Sequence, residues 1–236
     1  ILVETMRREG YEFQISKPEA IVKVENGRKL EPYEELILDI GEESIGGLVE
    51  DLSSRLARMT DMVSDGKGHL RLDFSIPTRG LIGFRSFFLK ATRGNGQMNS
   101  LFTGYEPLRG EVESTRSGAL VAAERGVANT HGLSNAQQRG STFVEPGMPI
   151  YEGMVVGLHA RDNDLMVNVC KEKKLTNMRQ STAEEAIRLV SPRALNLEQA
   201  IEFINDDELV EITPRTIRVR KRVLPSSRRR FKESSL

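Results

Sequence analysis

The stretch Ile76-Pro77-Thr78-Arg79-Gly80-Leu81-Ile82-Gly83-Phe84-Arg85-Ser86-Phe87-Phe88 decides how this chain is read. Thr78 follows a proline, and its hydroxyl suits an N-cap, where it accepts one of the unpaired N–H groups of a first helical turn. Leu81, Phe84, Phe88 and Ala91 recur at helical spacing, so one face is apolar and has to be covered. Arg79, Arg85, Lys90 and Arg93 fall on the other side of the wheel. Gly94-Asn95-Gly96 supplies the positive φ at which a helix stops. The pattern predicts one helix, packed by one side and basic on the other. Phosphate binding and a plain solvated face both fit that basic side.

Working outward, Leu70, Leu72, Phe74 and Ile76 alternate with Arg71, Asp73 and Ser75, the signature of a strand covered on one face. Leu36 to Ile40 is a further strand. Ser44 is placed to cap a helix carrying Ile45, Leu48, Val49, Leu52 and Leu56. Thr60 to Val63 is a short strand, Asp65-Gly66-Lys67-Gly68 a turn, and Gln97 to Phe102 a strand after the Thr78 helix. The order is β-α-β-β-α-β, an α+β, ferredoxin-like unit over residues 19–107 with both helices on one sheet face. The other face is left for a neighbouring domain or RNA. Asn26-Gly27 marks a tight hairpin ahead of it.

Residues 1–18 read as the end of a preceding domain, a helix end and a strand closed by Pro18, and the chain as a piece of a longer protein. Residues 108–225 form a β-rich mixed domain with two late helices. Its strands are Ala119 to Ala123, Thr142 to Val144, Met154 to Ala160 and Leu165 to Cys170. Thr182-Ala183-Glu184-Glu185 is a capping box, Asn196 caps a second helix, and Leu209 to Thr213 pairs with Thr216 to Val223. Residues 226–236 read as a disordered basic tail.

The 236 residues sum to zero formal charge, unevenly spread. Glu31 to Asp51 holds eight acids and no base, and Thr213 to Leu236 nine bases and one acid. That asymmetry suits a polyanion partner near the C-terminus, or merely a solvated end. A single cysteine, Cys170, excludes an intramolecular disulfide and fits a reducing compartment, and no signal peptide or long apolar run is present, so a cytoplasmic location is expected. His69, His131 and His159 lack metal-ligand spacing, and no phosphate loop or nucleophile elbow occurs. Asp65-Gly66-Lys67-Gly68 fits a D-x-x-G pattern but has no phosphate loop upstream. Neither catalysis nor a cofactor is expected of these residues.

Two basic stretches remain. Lys171 to Arg179 lies between a strand and a helix and mixes lysines, an arginine and an amide, groups that bind phosphates and sugar edges. Arg218, Arg220 and Arg222 alternate with Ile217, Val219 and Lys221, which puts three guanidinium groups on one strand face, roughly 6.6 Å apart. RNA binding explains both stretches; an edge strand guarded by charge explains the second alone.

Several long motifs resemble the C-terminal half of the BipA family, also called TypA. They are Ser75 to Arg85, Tyr151-Glu152-Gly153-Met154-Val155-Val156-Gly157, Asn163-Asp164-Leu165, Lys173-Lys174-Leu175-Thr176-Asn177-Met178-Arg179, and Leu197 to Ile204 running on to Glu211. The likeness covers about Ile1 to Leu224. These are ribosome-binding translational GTPases related to elongation factor G and LepA. The resemblance implies that residues 19–107 correspond to domain V of elongation factor G and 108–225 to the family's own C-terminal domain. GTP and Mg would belong to a GTPase domain absent from this chain, which should not hydrolyse GTP. It further implies that the ribosome, rRNA and tRNA are the partners. Lys173, Lys174, Asn177 and Arg179 would approach the tRNA acceptor end, and the helix of Arg79 and Arg85 would face large-subunit RNA. Val127 to Gln138 departs from the pattern, because an apolar strand is expected there and the residues suit a looser strand or loop. The competing reading is a protein-interaction scaffold whose acidic stretch docks a basic partner without RNA contact.

Overall fold

A computed structural model describes residues 1–110, 112, 116–172 and 188–228, arranged as two compact units. Residues 1–18 are read from the sequence as the close of a preceding domain; in the structure residues 1–17 contribute helix α1 (Leu2–Arg8) and strand β1 (Phe13–Ile15) to the unit built mainly from residues beyond 115. The capping box at Thr182, the loop from Lys173 to Arg179 and residues 229–236 lie outside the described residues.

The unit of residues 18–114 begins with a hairpin of β2 (Lys23–Glu25) and β3 (Arg28–Gly41). Asn26 and Gly27 form its turn with φ of 50° and 77°, the mirror-image turn that matches strand twist. Helix α2 (Ile45–Ser54), β4 (Arg58–Ser64), β5 (His69–Pro77), two helical pieces and β6 (Gln97–Pro107) follow. Strand β3 pairs with β5 and β6, and β5 with β4, all antiparallel, so the sheet order β6-β3-β5-β4 is that of a ferredoxin-like fold. Leu36, Leu38, Ile40, Leu70, Leu72, Phe74 and Ile76 all turn to one side, where Leu48, Leu52, Phe84 and Phe88 cover them. The alternation in β5 is as the sequence predicts. Ser44 is not a side-chain cap, because its hydroxyl donates instead to Ala91 O, 3.3 Å away.

The helix expected from Thr78 onward is broken. Helix α3 (Thr78–Leu81) stops at an extended Ile82, Gly83 turns with φ 74°, and α4 (Phe84–Ala91) starts afresh. Pro77 stands at the first N-cap, so Thr78 is already helical and its hydroxyl caps nothing. The Gly83 signal was in the sequence, but apolar spacing ran straight through it.

The other unit holds a seven-stranded sheet in the order β1-β13-β14-β11-β7-β12, with β9 also on β11. Its strands are β7 (Ala119–Ala122), β9 (Gly140–Thr142), β11 (Met154–His159), β12 (Leu165–Val167), β13 (Glu208–Ile212) and β14 (Ile217–Lys221). A two-stranded ladder joins β8 (Gly126–Val127) to β10 (Pro149–Ile150). Strands β7 and β12 run parallel, the remaining ladders antiparallel. Val155, Val210, Ile212 and Val219 pack on one face with Ala200 and Ile204. Leu120, Ala122, Met154 and Val156 pack on the other with Leu133 and Ala136.

Those last two belong to α5 (Thr130–Gln137), a helix where a strand or loop was expected. Asn129 explains it: its Oδ1 accepts Gly132 N at 2.8 Å, an N-cap, while its Nδ2 donates to Cys170 O at 2.7 Å. The second late helix, α6 (Leu197–Phe203), opens with a reciprocal capping box of Asn196 and Gln199, as the sequence predicts for Asn196.

Candidate nucleic-acid interface

The break between α3 and α4 is held by an arginine that sequence reading passed over. Arg55, at the end of α2, is 5% exposed; its Nη1 donates to Gly80 O and Ile82 O, both at 3.0 Å, and its Nε to Asp51 Oδ2 at 2.5 Å. A buried fork that satisfies two carbonyls left open by a helix end is worth more than an ordinary neutral pair. The approach is close, with Arg55 O only 2.6 Å from where a Cβ of Gly80 would stand. This clamp fixes the direction in which α4 leaves the sheet.

Arg79 faces inward. Its Nε donates to Glu31 Oε2 at 2.5 Å, its Nη2 to Glu31 Oε1 at 3.2 Å and Gly110 O at 3.0 Å, and also to Arg109 O. Glu31 is fully buried, so the pair closes one end of the unit and leaves little of Arg79 for a partner. Nearby, burial and the Glu31 charge push the Tyr33 hydroxyl above its ordinary range.

Arg85 is different. It stands on the outer side of α4 with Lys90, both exposed, and Arg93 follows just past the helix. Phe84 and Phe88 hold the inner side, and α4 contains no acid. Among the described residues, none of these three cations has an ion-pair partner. Arg93 sits at φ 52° and Gly94 at φ 80°; Arg93 N reaches Lys90 O at 3.2 Å and Gly94 N reaches Leu89 O at 2.8 Å. That is a Schellman termination with arginine, not glycine, in the left-handed position. Cations at a helix C-terminus also offset its partial negative charge.

Of the strand arginines, only Arg222 is exposed. Strand β14 lies between β13 and β11, so it is no edge. Arg220 is tied to Glu211 Oε1 at 2.8 Å and to Gln14 Oε1 at 2.7 Å, and Arg218 is half-buried beside it. Tyr151 joins this polar face, its hydroxyl donating to Glu211 Oε2 at 2.6 Å; burial and that bond hold the phenol protonated well above its usual range. The alternation is as the sequence predicts, but on this interior strand Arg220 spends its charge on Glu211. Lys173, Lys174, Asn177 and Arg179 fall outside the described residues.

On the opposite side of β14, Lys221 is 3% exposed and its Nζ meets Asp164 at 2.5 Å, Asp207 at 2.9 Å and Glu208 at 2.9 Å. Arg116 also reaches Glu208, at 3.0 Å. Burial alone would lower the Lys221 pKa, but Glu208 and its companions outweigh that and raise it. The cluster is structural. Among the described residues no three His, Cys, Asp or Glu side chains gather as a metal site, and burial pushes the Cys170 thiol upward.

The open face of the other unit's sheet has the wrong sign for RNA. Glu35, Asp39, Asp61 and Asp73 share it with Arg58 and Arg71, by the strand registers. Among the described residues, no helix is long and apolar enough to cross a membrane.

Two family models match in tandem. Residues 28–116 match the elongation factor G C-terminus, and residues 117–226 the TypA/BipA C-terminal domain. The chain belongs to the TypA/BipA family. It is 48% identical over 221 residues to the large ribosomal subunit assembly factor BipA of Synechocystis sp., covering 94% of this chain and 37% of that protein. It is 46% identical to the Bacillus subtilis protein of the same description, over 97% of this chain and 38% of that one, and 48% identical to the Salmonella typhimurium protein, over 98% and 38%. The chain thus spans under two-fifths of the length of these BipA relatives. A solved protein from Thermus thermophilus overlaps 34% of the chain with a TM-score of 0.33 and 22% identity, too remote to bear on the fold. The match to the TypA/BipA domain runs through residues 127–138, where the sequence pattern departs and the structure forms α5.

Proposed function

We propose that this chain is a non-catalytic ribosome-binding region that docks on ribosomal RNA through the outer side of α4. The observation that carries the reading is the trio Arg85, Lys90 and Arg93: exposed, without internal partners, on a helix without acids whose exit direction Arg55 clamps. Groups already neutralised inside the protein gain little from a phosphate, whereas free cations release the counterions that drive nucleic-acid binding. The relatives' description as large ribosomal subunit assembly factors supports the ribosome as partner. Arg222 and the loop of Lys173, Lys174, Asn177 and Arg179 belong to the same reading as further RNA contacts, the loop toward tRNA.

The test is binding of the 236-residue chain to ribosomes and isolated large subunits across a salt series. Arg85→Ala/Lys90→Ala/Arg93→Ala should weaken binding and flatten the logarithmic salt slope by about two to three units. Lys173→Ala/Lys174→Ala/Arg179→Ala tests the loop in the same way. Undiminished slopes in both would remove RNA contact by these groups.

A second reading is favoured by one feature. The acidic sheet face of Glu35, Asp39, Asp61 and Asp73 suits a basic protein surface, as a scaffold would offer. It predicts that Asp61→Asn/Asp73→Asn weakens ribosome association while the α4 triple variant does not.

A further inference from the structure

Beside β9 and β11 lies a cavity of about 200 Å³ lined by Gln138, Arg139, His159, Ala160, Arg161 and Asn163, with Leu165 closing one side. Arg139 ends the α5 segment, its N–H donating to Ala136 O, and its carbonyl accepts Ala160 N at 2.9 Å. Arg161 comes from the turn after β11, its carbonyl bonded to Gly118 N at 2.7 Å. Both backbones are pinned while both side chains stand exposed and, among the described residues, without an ion-pair partner.

His159 is the buried wall, 5% exposed. Its Nδ1 lies 2.6 Å from Asn163 O. A carbonyl only accepts, so Nδ1 carries the proton and Nε2 is left as the ring nitrogen without a described partner. Among the described residues, no carboxylate lines the cavity. Asp164, half-buried, is turned to Lys221 at 2.5 Å and to Ala119 N at 2.7 Å, and Asp162 is exposed on the same turn outside the lining. The C-terminal end of α5 brings about half a negative charge, which two guanidinium groups outweigh.

We infer that this cavity binds the phosphate of a ribonucleotide, Arg139 and Arg161 clasping the anion while Gln138, His159 Nε2 and the Asn163 amide meet ribose or base edges. A volume of about 200 Å³ holds several waters at about 30 Å³ each, room for a phosphate and part of its sugar. Two arginine forks are the side chains best matched to a phosphate's oxygens. The site uses none of the α4 residues and stands apart from the ribosome reading.

The test follows the His159 ring resonances and binding heat of the 236-residue chain against inorganic phosphate, adenosine 5′-monophosphate and a short single-stranded RNA. The wild type should bind a phosphate-bearing probe with a shift at His159, and Arg139→Ala and Arg161→Ala should each weaken it about tenfold, the worth of one charge-assisted bond. Arg139→Lys and Arg161→Lys should restore part of the loss. Both side chains lack internal partners among the described residues, so the variants should keep the wild-type melting temperature. Saturation by the mononucleotide identifies a free-nucleotide site, and saturation by the RNA alone a strand-binding site. Probes that leave His159 unmoved, or bind the double variant Arg139→Ala/Arg161→Ala as they bind the wild type, overturn the inference. The α4 triple variant should bind the mononucleotide normally, which separates this outcome from failure of the ribosome reading.

Discussion

Lys221 shows what one buried cation costs to keep and to lose. Replacing it with methionine takes one of two cations from fully buried Glu208, which keeps Arg116 and the Asn205 N–H. The loss should therefore fall below the cost of about 3–5 kcal/mol for a buried charge left wholly unpaired. Urea unfolding of Lys221→Met against the wild type checks the figure. The same cluster sets a pH window. Burial alone would raise the Asp164 pKa, but the Lys221 ammonium and the Ala119 N–H prevail and lower it. Its stabilisation is therefore present above the unfolded value of about 4 and lost as pH falls through the folded one. Lys221 is raised, so its contribution is complete below about pH 10.4 and lost as pH rises past the folded value. Unfolding free energies measured from acid to alkali should form a plateau with two limbs. Lys221→Met should shrink the acid limb, since the Ala119 N–H still favours the Asp164 carboxylate, and shrink the alkaline one, leaving the losses from Tyr151 and Tyr33, whose phenols must stay protonated.

At the scale of an element, the ends of α4 set stability and recognition against each other. Arg93→Gly relieves a left-handed backbone that costs a non-glycine residue about 1 kcal/mol, so the melting temperature should rise. Ribosome affinity should fall at the same time, with a shallower salt slope. A rise in both would show that Arg93 has no part in binding. At the other end, Gly80→Ala drives a methyl group into Arg55 O, and Arg55→Met leaves the carbonyls of Gly80 and Ile82 without their donor; each should lower thermal stability. These elements also show what was legible beforehand. The β5 alternation and the Asn26-Gly27 turn could be read because each is decided by neighbours in the chain. The break at Gly83 had a glycine to mark it, but the guanidinium from residue 55 that holds it open is brought there only by the fold. Helix α5 has an equally local cap, Asn129 Oδ1 accepting Gly132 N, and what only the fold adds is the Asn129 Nδ2 bond to Cys170 O. Among the basic residues, charge type and spacing were visible in the sequence, but which cations are already spent was not. Arg79 and Arg220 meet Glu31 and Glu211 only through the fold.

For the whole molecule, net charge is zero, so attraction to a polyanion comes from local patches and should fade quickly with salt. The two units also differ in how far apart their pairing strands lie. The ladders of the 18–114 unit stay within that stretch, whereas β1 pairs with β13, joining Phe13 to Ile212. A chain leaving the ribosome would complete the 18–114 unit before β13 is made, while residues 13–15 wait for that strand. Until then β1 has no ladder, and its Phe13 and Ile15 lack the cover of the finished core. A chain truncated after residue 203 should therefore keep the 18–114 unit protected from protease but lose protection of residues 1–17. Between completion of the 18–114 unit and emergence of β13, β1 is an unpaired strand, the segment on which a holding chaperone would act.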